Sequence, residues 1–278
     1  MMDITRIEEI SIEAGNAVMR LRQDGFSTSS KSDGSPVTEA DLAADAIITS
    51  GLTTMAPDIP AITEETWSCS KDHEPQEYWC IDPIDGTKGF ISGKPDFTVN
   101  IALIRDRFPV LGVIYAPALG LLWGGSDGKA WKRQASAADD AMTLDRMGAP
   151  HPISARDARI ETPDVVATKA HRSPELNAWI DRLGANSSTS VGSSLKFCVL
   201  AEGKADLYPR TGPTMEWDTA AGQAILEAAG GSVIGPDEQR FSYGKPDRLN
   251  GYFCAMAKIT RDVPPLWLPP ALQVARHD

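Results

Sequence analysis

The chain has 278 residues, 42% hydrophobic and 23% charged, enough for a substantial core built as one large domain or as two fused halves. Its net charge of −11, from 38 acidic and 27 basic residues, argues against a general nucleic-acid or membrane-surface binder; a small anionic substrate stays open, because a bound metal reverses the sign locally. The longest uncharged run, Phe108 to Ser126, is broken by Pro117, Gly112, Gly120, Gly124 and Gly125, and reads as two strands and a turn instead of a membrane span.

From the N-terminus, Asp3 caps a first helix with Ile4, Ile7, Ala14, Val18 and Leu21 along one face. Asp3, Glu8 and Glu9 do not suit a signal peptide. Cys69, Cys80, Cys198 and Cys254 form no C-x-x-C pair, and Cys80 and Cys198 sit in apolar runs as buried thiols. A cytoplasmic protein is expected. Gly25 to Ser35 reads as a polar surface loop. Thr38 with Asp41 three residues on resembles a capping box, opening a helix with Leu42, Ala46, Ile47 and Leu52 inward. Capping alone explains Asp41; orienting a nearby hydroxyl or water is the functional alternative.

Ile59 to Thr63 is a short strand that delivers Glu64 and Glu65, about eighteen residues before Asp82. The spacing permits two neighbouring strands that end at one edge. Tyr78 to Ile81 is an apolar strand, expected to stop at Pro83, which fixes φ and donates no hydrogen bond. Asp82-Pro83-Ile84-Asp85-Gly86-Thr87 then supplies two carboxylates and, around Gly86, exposed amides. That set suits a divalent metal beside a phosphate, although a capped strand-to-helix turn gives the same pattern. Phe97 to Ile104 is apolar on both faces and reads as a buried central strand. Val110–Tyr115, Leu121–Gly124 and Gly128–Lys132 continue as a meander, and Ala135 to Asp157 reads as a polar connector between halves.

In the second half, Asp164 to Thr168 is a strand. Ser173-Pro174 starts a helix with a Leu176, Trp179, Ile180, Leu183 stripe that stops at Gly184. Val191 to Ala201 reads as a helix opening on Gly192-Ser193-Ser194, and Ala205 to Tyr208 as a strand. Asp218 caps a helix over Thr219 to Ala229, and Ser232 to Ile234 is a strand. The prolines from Pro264 to Pro270 make an extended tail.

Glu64, Asp82, Asp85 and Asp218 each end a strand or begin a helix beside a small or turn residue. Four carboxylates roughly neutralise two divalent cations, and all-oxygen ligation selects hard ions such as Mg²⁺. His73, His151, His171 and His277 lack zinc-site spacing. A two-metal oxygen site favours phosphoryl chemistry.

Two motifs together, Asp82-Pro83-Ile84-Asp85-Gly86-Thr87 and Trp217-Asp218-Thr219-Ala220-Ala221-Gly222, with Glu64 upstream, resemble the lithium-sensitive, Mg²⁺-dependent phosphatases of the inositol monophosphatase family. Within it, the Lys31 to Thr38, Asp85 to Phe90, Phe97 to Leu103, Gly192 to Cys198 and Tyr208-Pro209-Arg210 segments are similar to the bacterial 3'(2'),5'-bisphosphate nucleotidases of sulfur assimilation. The resemblance implies an α/β (α+β) fold, a layered αβαβα sandwich. It implies one family-like unit over residues 1–278, with a metal-binding motif in 1–150 and a nucleotide-binding motif in 151–278.

It further implies that Glu64, Asp82, Asp85, Asp218 and the Ile84 carbonyl hold two or three Mg²⁺. Thr87, polarised by Asp41, positions the attacking water, and Glu64 also belongs to the catalytic set. The Gly86 and Thr87 amides hold the scissile phosphate, while Ser193, Lys196 and Arg210 hold the nucleoside monophosphate part. His171 matches a base-stacking position, with Thr168-Lys169-Ala170-His171 standing where the family has Ser-Arg-Ser-His. The implied substrate is adenosine 3',5'-bisphosphate, with an inositol or sugar phosphate as the alternative, and no nucleic-acid polymer or membrane insertion. From the residues alone, Lys196 also fits a snorkelling surface lysine and Arg210 a salt bridge to Glu202. Two basic groups beside a second phosphate favour the nucleotide, since an inositol monophosphate carries no such group.

Overall fold

The computed structural model describes residues 2–31, 34–68, 75–135, 142–159, 161–167 and 174–260. Helix α1 (Ile4–Asp24) starts where the Asp3 carboxylate accepts the Thr5 N–H at 3.1 Å, and it stops at Gly25, whose φ of 96° the other residues avoid. Strands β1 (Thr28–Ser30), inside the expected loop, and β2 (Pro36–Thr38), just beyond it, pair as a short hairpin. Helix α2 (Glu39–Met55) carries the capping box: Thr38 N–H donates to Asp41 Oδ2 at 2.7 Å, and Ala40 N–H to Thr38 Oγ1 at 3.2 Å. Its buried face is Ala40, Asp41, Ala44, Asp45, Ile48 and Leu52, not the expected Leu42 and Ala46; Leu42 is 54% exposed. The cap turns Asp41 inward, and the 3.6-residue period then places 44, 45, 48 and 52 on that face and 42 and 46 off it.

The first sheet has seven strands in sequence order: β3 (Ala61–Thr63), β4 (Glu77–Asp85), then, after helix α3 (Thr87–Ile91), β5 (Thr98–Arg105), β6 (Phe108–Ala116), β7 (Leu121–Ser126), β8 (Lys129–Gln134) and β9 (His151–Ile153). β3 and β4 are parallel and the rest antiparallel. β4 does not stop at Pro83 but runs on to Asp85. Asp82 pairs with Asn100 and Asp85 with Thr98, so three steps on β4 match two on β5. The extra residue is a bulge, which absorbs the missing Pro83 N–H. It also puts both aspartates on one face, where uninterrupted alternation would put them on opposite faces. The expected connector supplies β9, which closes the sheet against β8.

The second sheet uses β10 (Asp164–Val166), then, beyond helix α4 (Pro174–Arg182), β11 (Ser187–Thr189), and after α5 (Leu195–Ala201), β12 (Leu207–Arg210). β13 (Thr214–Met215) leads to helix α6 (Ala220–Ala228), followed by β14 (Ser232–Ile234), β15 (Leu249–Asn250) and β16 (Phe253–Met256). Its five strands run β11-β10-β12-β16-β14, and β13 pairs separately with β15. α5 begins four residues later than expected, because Ser193 sits at a φ of 49° that cannot continue a right-handed helix.

Three apolar cores separate five layers. α1 and α2 cover one face of the first sheet through Ile7, Ile10, Ile48, Trp79, Ile101 and Val113. α5 and α6 lie between the two sheets, with Tyr78, Ile114, Phe197, Ile225, Tyr208 and Phe253. α4 covers the far face of the second sheet with Trp179 and Ile180 on Leu207 and Met256. This is the expected αβαβα sandwich. α6 lies unusually close to the first sheet: a Cβ on Gly112 would meet the Ala221 carbonyl at 2.5 Å, and one on Gly125 the Ile225 Cα at 2.6 Å. Among the described residues no helix is long and apolar enough to cross a membrane.

Candidate metal and phosphate site

Three carboxylates from three elements converge. The parallel β3–β4 register sets Thr63 beside Ile81, and Glu64 N–H donates to the Ile81 carbonyl at 3.1 Å, so Glu64 comes out next to Asp82. Asp218 arrives on a 3₁₀ turn, Glu216–Asp218. One oxygen each from Glu64, Asp82 and Asp218 lies within 4.8 Å of the others. Asp82 is buried, and both of its oxygens lack a hydrogen-bond partner among the described residues. Burial pushes its carboxyl well up, and Glu64, Asp85 and Asp218 push the same way. Burial and Asp85 raise Asp218 to about 8; burial raises Glu64, opposed by Lys31. A buried, unpartnered carboxylate facing two others is costly without a cation. The donor set is all oxygen, so the residues fit a hard divalent ion.

Asp218 does not cap α6 as expected. Its Oδ2 accepts the Met215 N–H at 2.8 Å, closing the 3₁₀ turn, and Thr219 takes the position just before the helix, with its hydroxyl donating to the Glu216 carbonyl at 3.1 Å. Asp85 is held from the other side: Ser194 Oγ lies 2.7 Å from Asp85 Oδ2 and 2.8 Å from the Asp218 carbonyl, and accepts Asn100 Nδ2–H at 2.9 Å. The single Ser194 proton serves one acceptor at a time.

Asp41 has both expected contacts. Its Oδ2 takes the Thr38 amide and, at 2.6 Å, the Thr38 hydroxyl, while Oδ1 faces Thr87 Oγ1 at 3.3 Å. Burial raises the Asp41 carboxyl against these hydrogen bonds. Thr87 Oγ1 also lies 3.0 Å from the Ile84 carbonyl. Gly86 has φ 95°, and a Cβ there would strike Ser193 Oγ at 2.6 Å, so glycine is required twice over.

A cavity of about 320 Å³ is lined by Glu64, Asp85, Gly86, Thr87, Ser193, Lys196, Arg210 and Asp218. Of the residues singled out in the sequence, Asp41, Asp82 and Ile84 stand behind this lining, and His171 lies outside the described residues. Lys196 is 5% exposed and does not snorkel; its Nζ donates to the Ser193 carbonyl at 2.6 Å and lies 5.3 Å from the Tyr208 ring. Burial draws it down to about 8, with Asp85 opposing and Arg210 adding to the shift. Arg210 donates to the Gly212 and Pro213 carbonyls at 3.2 and 3.0 Å, not to Glu202, which is taken by Trp123 and Lys132. Sequence reasoning missed the role of Ser194 and of Asn100, although a lone asparagine in an apolar central strand was a usable signal. It gave no contact for Lys31, whose Nζ lies 2.6 Å from Glu64 Oε1 and 2.9 Å from Glu65 Oε1.

The sequence profile of the inositol monophosphatase family matches residues 2–260. The chain belongs to the inositol monophosphatase family. Relatives in it include the 3'(2'),5'-bisphosphate nucleotidase CysQ of Shigella flexneri and that of Escherichia coli strain K12, each 44% identical over 236 residues, covering 83% of this chain and 89% of theirs. Among solved structures of the family, CysQ from Bacteroides thetaiotaomicron superposes with a TM-score of 0.76 at 36% identity, over 93% of this chain and 97% of that one. Inositol monophosphatase family members are metal-dependent phosphatases of small molecules, and the acidic cluster is where this chain offers a metal site.

Proposed function

We propose that this chain is a 3'(2'),5'-bisphosphate nucleotidase that hydrolyses the 3'-phosphate of adenosine 3',5'-bisphosphate to give AMP and phosphate, with Mg²⁺ as cofactor. The observation that carries the choice of substrate is the pairing, in one cavity, of a carboxylate cluster with two basic side chains, Lys196 and Arg210. A monophosphate of inositol needs only the first; a nucleotide bisphosphate needs both. The identity to nucleotidases of that name supports the same reading.

Glu64, Asp82, Asp85, Asp218 and the Ile84 carbonyl would hold two or three Mg²⁺. Bound there, the ions supply a water of lowered pKa and a counter-charge for the leaving oxygen. The remaining work falls to this chain's own groups. Asp41 holds the Thr87 hydroxyl, and Thr87 orients the attacking water. The Gly86 and Thr87 amides fix the scissile phosphate. Lys196, Arg210 and Ser193 hold the 5'-phosphate end away from the carboxylates, and His171 stacks on the base. The chain works as one unit: residues 1–150 carry the metal-binding motif, and 151–278 carry the nucleotide-binding motif and add Asp218 to the metal ligands. With its net charge of −11 it acts on the free nucleotide in the cytoplasm, in sulfur assimilation and nucleotide recycling, and not on a nucleic-acid polymer.

Phosphate release from adenosine 3',5'-bisphosphate and from inositol 1-phosphate, each with and without Mg²⁺, tests this. Fast, Mg²⁺-dependent release from the nucleotide is expected. Equal or better turnover of the inositol phosphate would keep the metal site and discard the roles of Lys196 and Arg210.

A further inference from the structure

A second charged cluster lies behind the carboxylates. Glu216 is fully buried and Arg248 is 5% exposed. Glu216 Oε2 accepts Arg248 Nη1–H at 3.0 Å and faces the Tyr78 hydroxyl at 3.3 Å, and the same Arg248 nitrogen donates to that hydroxyl at 3.2 Å. Glu216 Oε1 accepts the Lys245 amide at 2.9 Å, with Lys245 Nζ at 3.4 Å. The Glu216 amide donates to the Arg248 carbonyl at 2.9 Å. Asn250 closes the group: its Nδ2 donates to the Met215 carbonyl at 2.7 Å and reaches Thr219 Oγ1 at 3.0 Å.

A buried ion cluster is a weak source of stability, because desolvation offsets most of the attraction. What this one has is position. Glu216 is two residues before Asp218 in the same 3₁₀ turn. Tyr78 is four residues before Asp82 on β4, ahead of the bulge, so strand alternation puts both on one face. The Glu216 carboxylate is thus a polar link between the strand that carries Asp82 and the turn that carries Asp218. Both of those acids repel each other in the metal-free protein, so something has to hold the turn against the strand.

We infer that Glu216, Arg248 and Tyr78 are positioning residues that set the Asp218 carboxylate at its working distance from Asp82, and so set the affinity of the site for its divalent cation. The inference rests on the metal-site reading given above. Groups that orient metal ligands change affinity by roughly 10- to 100-fold when lost.

The experiment measures Mn²⁺ binding to the chelator-treated full-length protein by calorimetry and electron paramagnetic resonance, with thermal melts and steady-state kinetics on the same samples. Glu216→Gln should weaken Mn²⁺ binding by about 10-fold or more, and Tyr78→Phe, which removes one hydroxyl, by a smaller factor. At saturating metal, KM for the nucleotide should stay at its wild-type value. Asp206→Asn is the control, a break in the ion pair between partly buried Arg156 and buried Asp206, beside the second sheet. It should cost thermal stability without changing Mn²⁺ affinity. If Glu216→Gln does not fold, Tyr78→Phe alone decides. Variants that fold and bind Mn²⁺ within twofold of wild type would overturn the inference, as would an equal weakening in Asp206→Asn. A wild-type protein that binds no Mn²⁺ would overturn the metal reading itself, and the inference with it.

Discussion

Lys31 and Glu64 form an ion pair at the mouth of the carboxylate cluster, Nζ to Oε1 at 2.6 Å, with both side chains about three-quarters or more covered. The ammonium therefore stands on one oxygen of a carboxylate that a cation would use, and offsets part of the repulsion there. An incoming divalent ion has to displace or share it. Lys31→Met should tighten Mn²⁺ binding by about two- to fivefold, the equivalent of a partly screened pair of roughly 0.5–1 kcal/mol. It should lower the melting temperature of the metal-free protein. Calorimetry checks the first effect; weaker binding would mean that Lys31 assists the ion.

Asp82→Asn should affect function and stability in opposite directions. Metal-dependent turnover should be lost, and the melting temperature of the chelated protein should rise, because two unpartnered carboxylate oxygens no longer face Glu64 and Asp218. The burial of the cluster also gives a pH signature. Asp218, raised to about 8 by burial and by Asp85, keeps a proton in the folded state that the unfolded chain releases near pH 4. The folded state binds more protons across that window, so metal-free stability should fall as pH rises from about 4 to about 8. Saturating Mg²⁺ should flatten the slope. Melting curves across that range, with and without metal, are the measurement.

Lys196 should govern substrate choice. Lys196→Met should raise the nucleotide KM by roughly 10- to 100-fold, the loss of one charge-assisted contact to phosphate, with kcat little changed. Turnover of a monophosphate lacking the second anion should not move. Because burial draws the Lys196 ammonium down to about 8, kcat/KM for the nucleotide should decline above that pH. In Lys196→Arg the decline should vanish. A pH profile that is the same in both proteins would remove Lys196 from the binding step.

Away from the site, Asp164 should set acid stability. Burial pushes its carboxyl up, but hydrogen bonds from Ser187 at 2.7 Å and Asn186 at 2.8 Å, with Arg156, hold it at about 2. A lowered carboxyl contributes stability above its unfolded pKa, here roughly 2 kcal/mol at neutral pH, and loses it as pH falls from about 4 to about 2. Asp164→Asn should be less stable at pH 7 and should lack that acid limb. Urea unfolding at both ends of the window tests it.

How far the sequence could be read depends on whether a contact is local. Both carboxylate motifs and the Thr38–Asp41 cap lie within short segments, and the layered fold followed from the family they resemble. The bulge at Pro83 was not legible, because it is defined by which β5 residues Asp82 and Asp85 face, not by β4 itself. The inward face of α2 was misjudged for a related reason: hydrophobicity favoured Leu42, but the cap geometry rotated Asp41 and Asp45 into the protein. Ser194, Glu216 and Arg248 act through partners some 24 to 170 positions away in the chain, a range over which periodicity carries no signal.

Gly112 and Gly125 carry no charge, yet they decide how deeply α6 sits on β6 and β7. A methyl group at Gly112 would meet backbone at Ala221, three residues beyond Asp218, and the helix would have to rise off the sheet. The acidic turn at its leading end would rise with it. A screen for inactive variants should therefore recover Gly112→Ala alongside true ligand substitutions, and a change of one carbon atom on the sheet would be scored as a defect in chemistry.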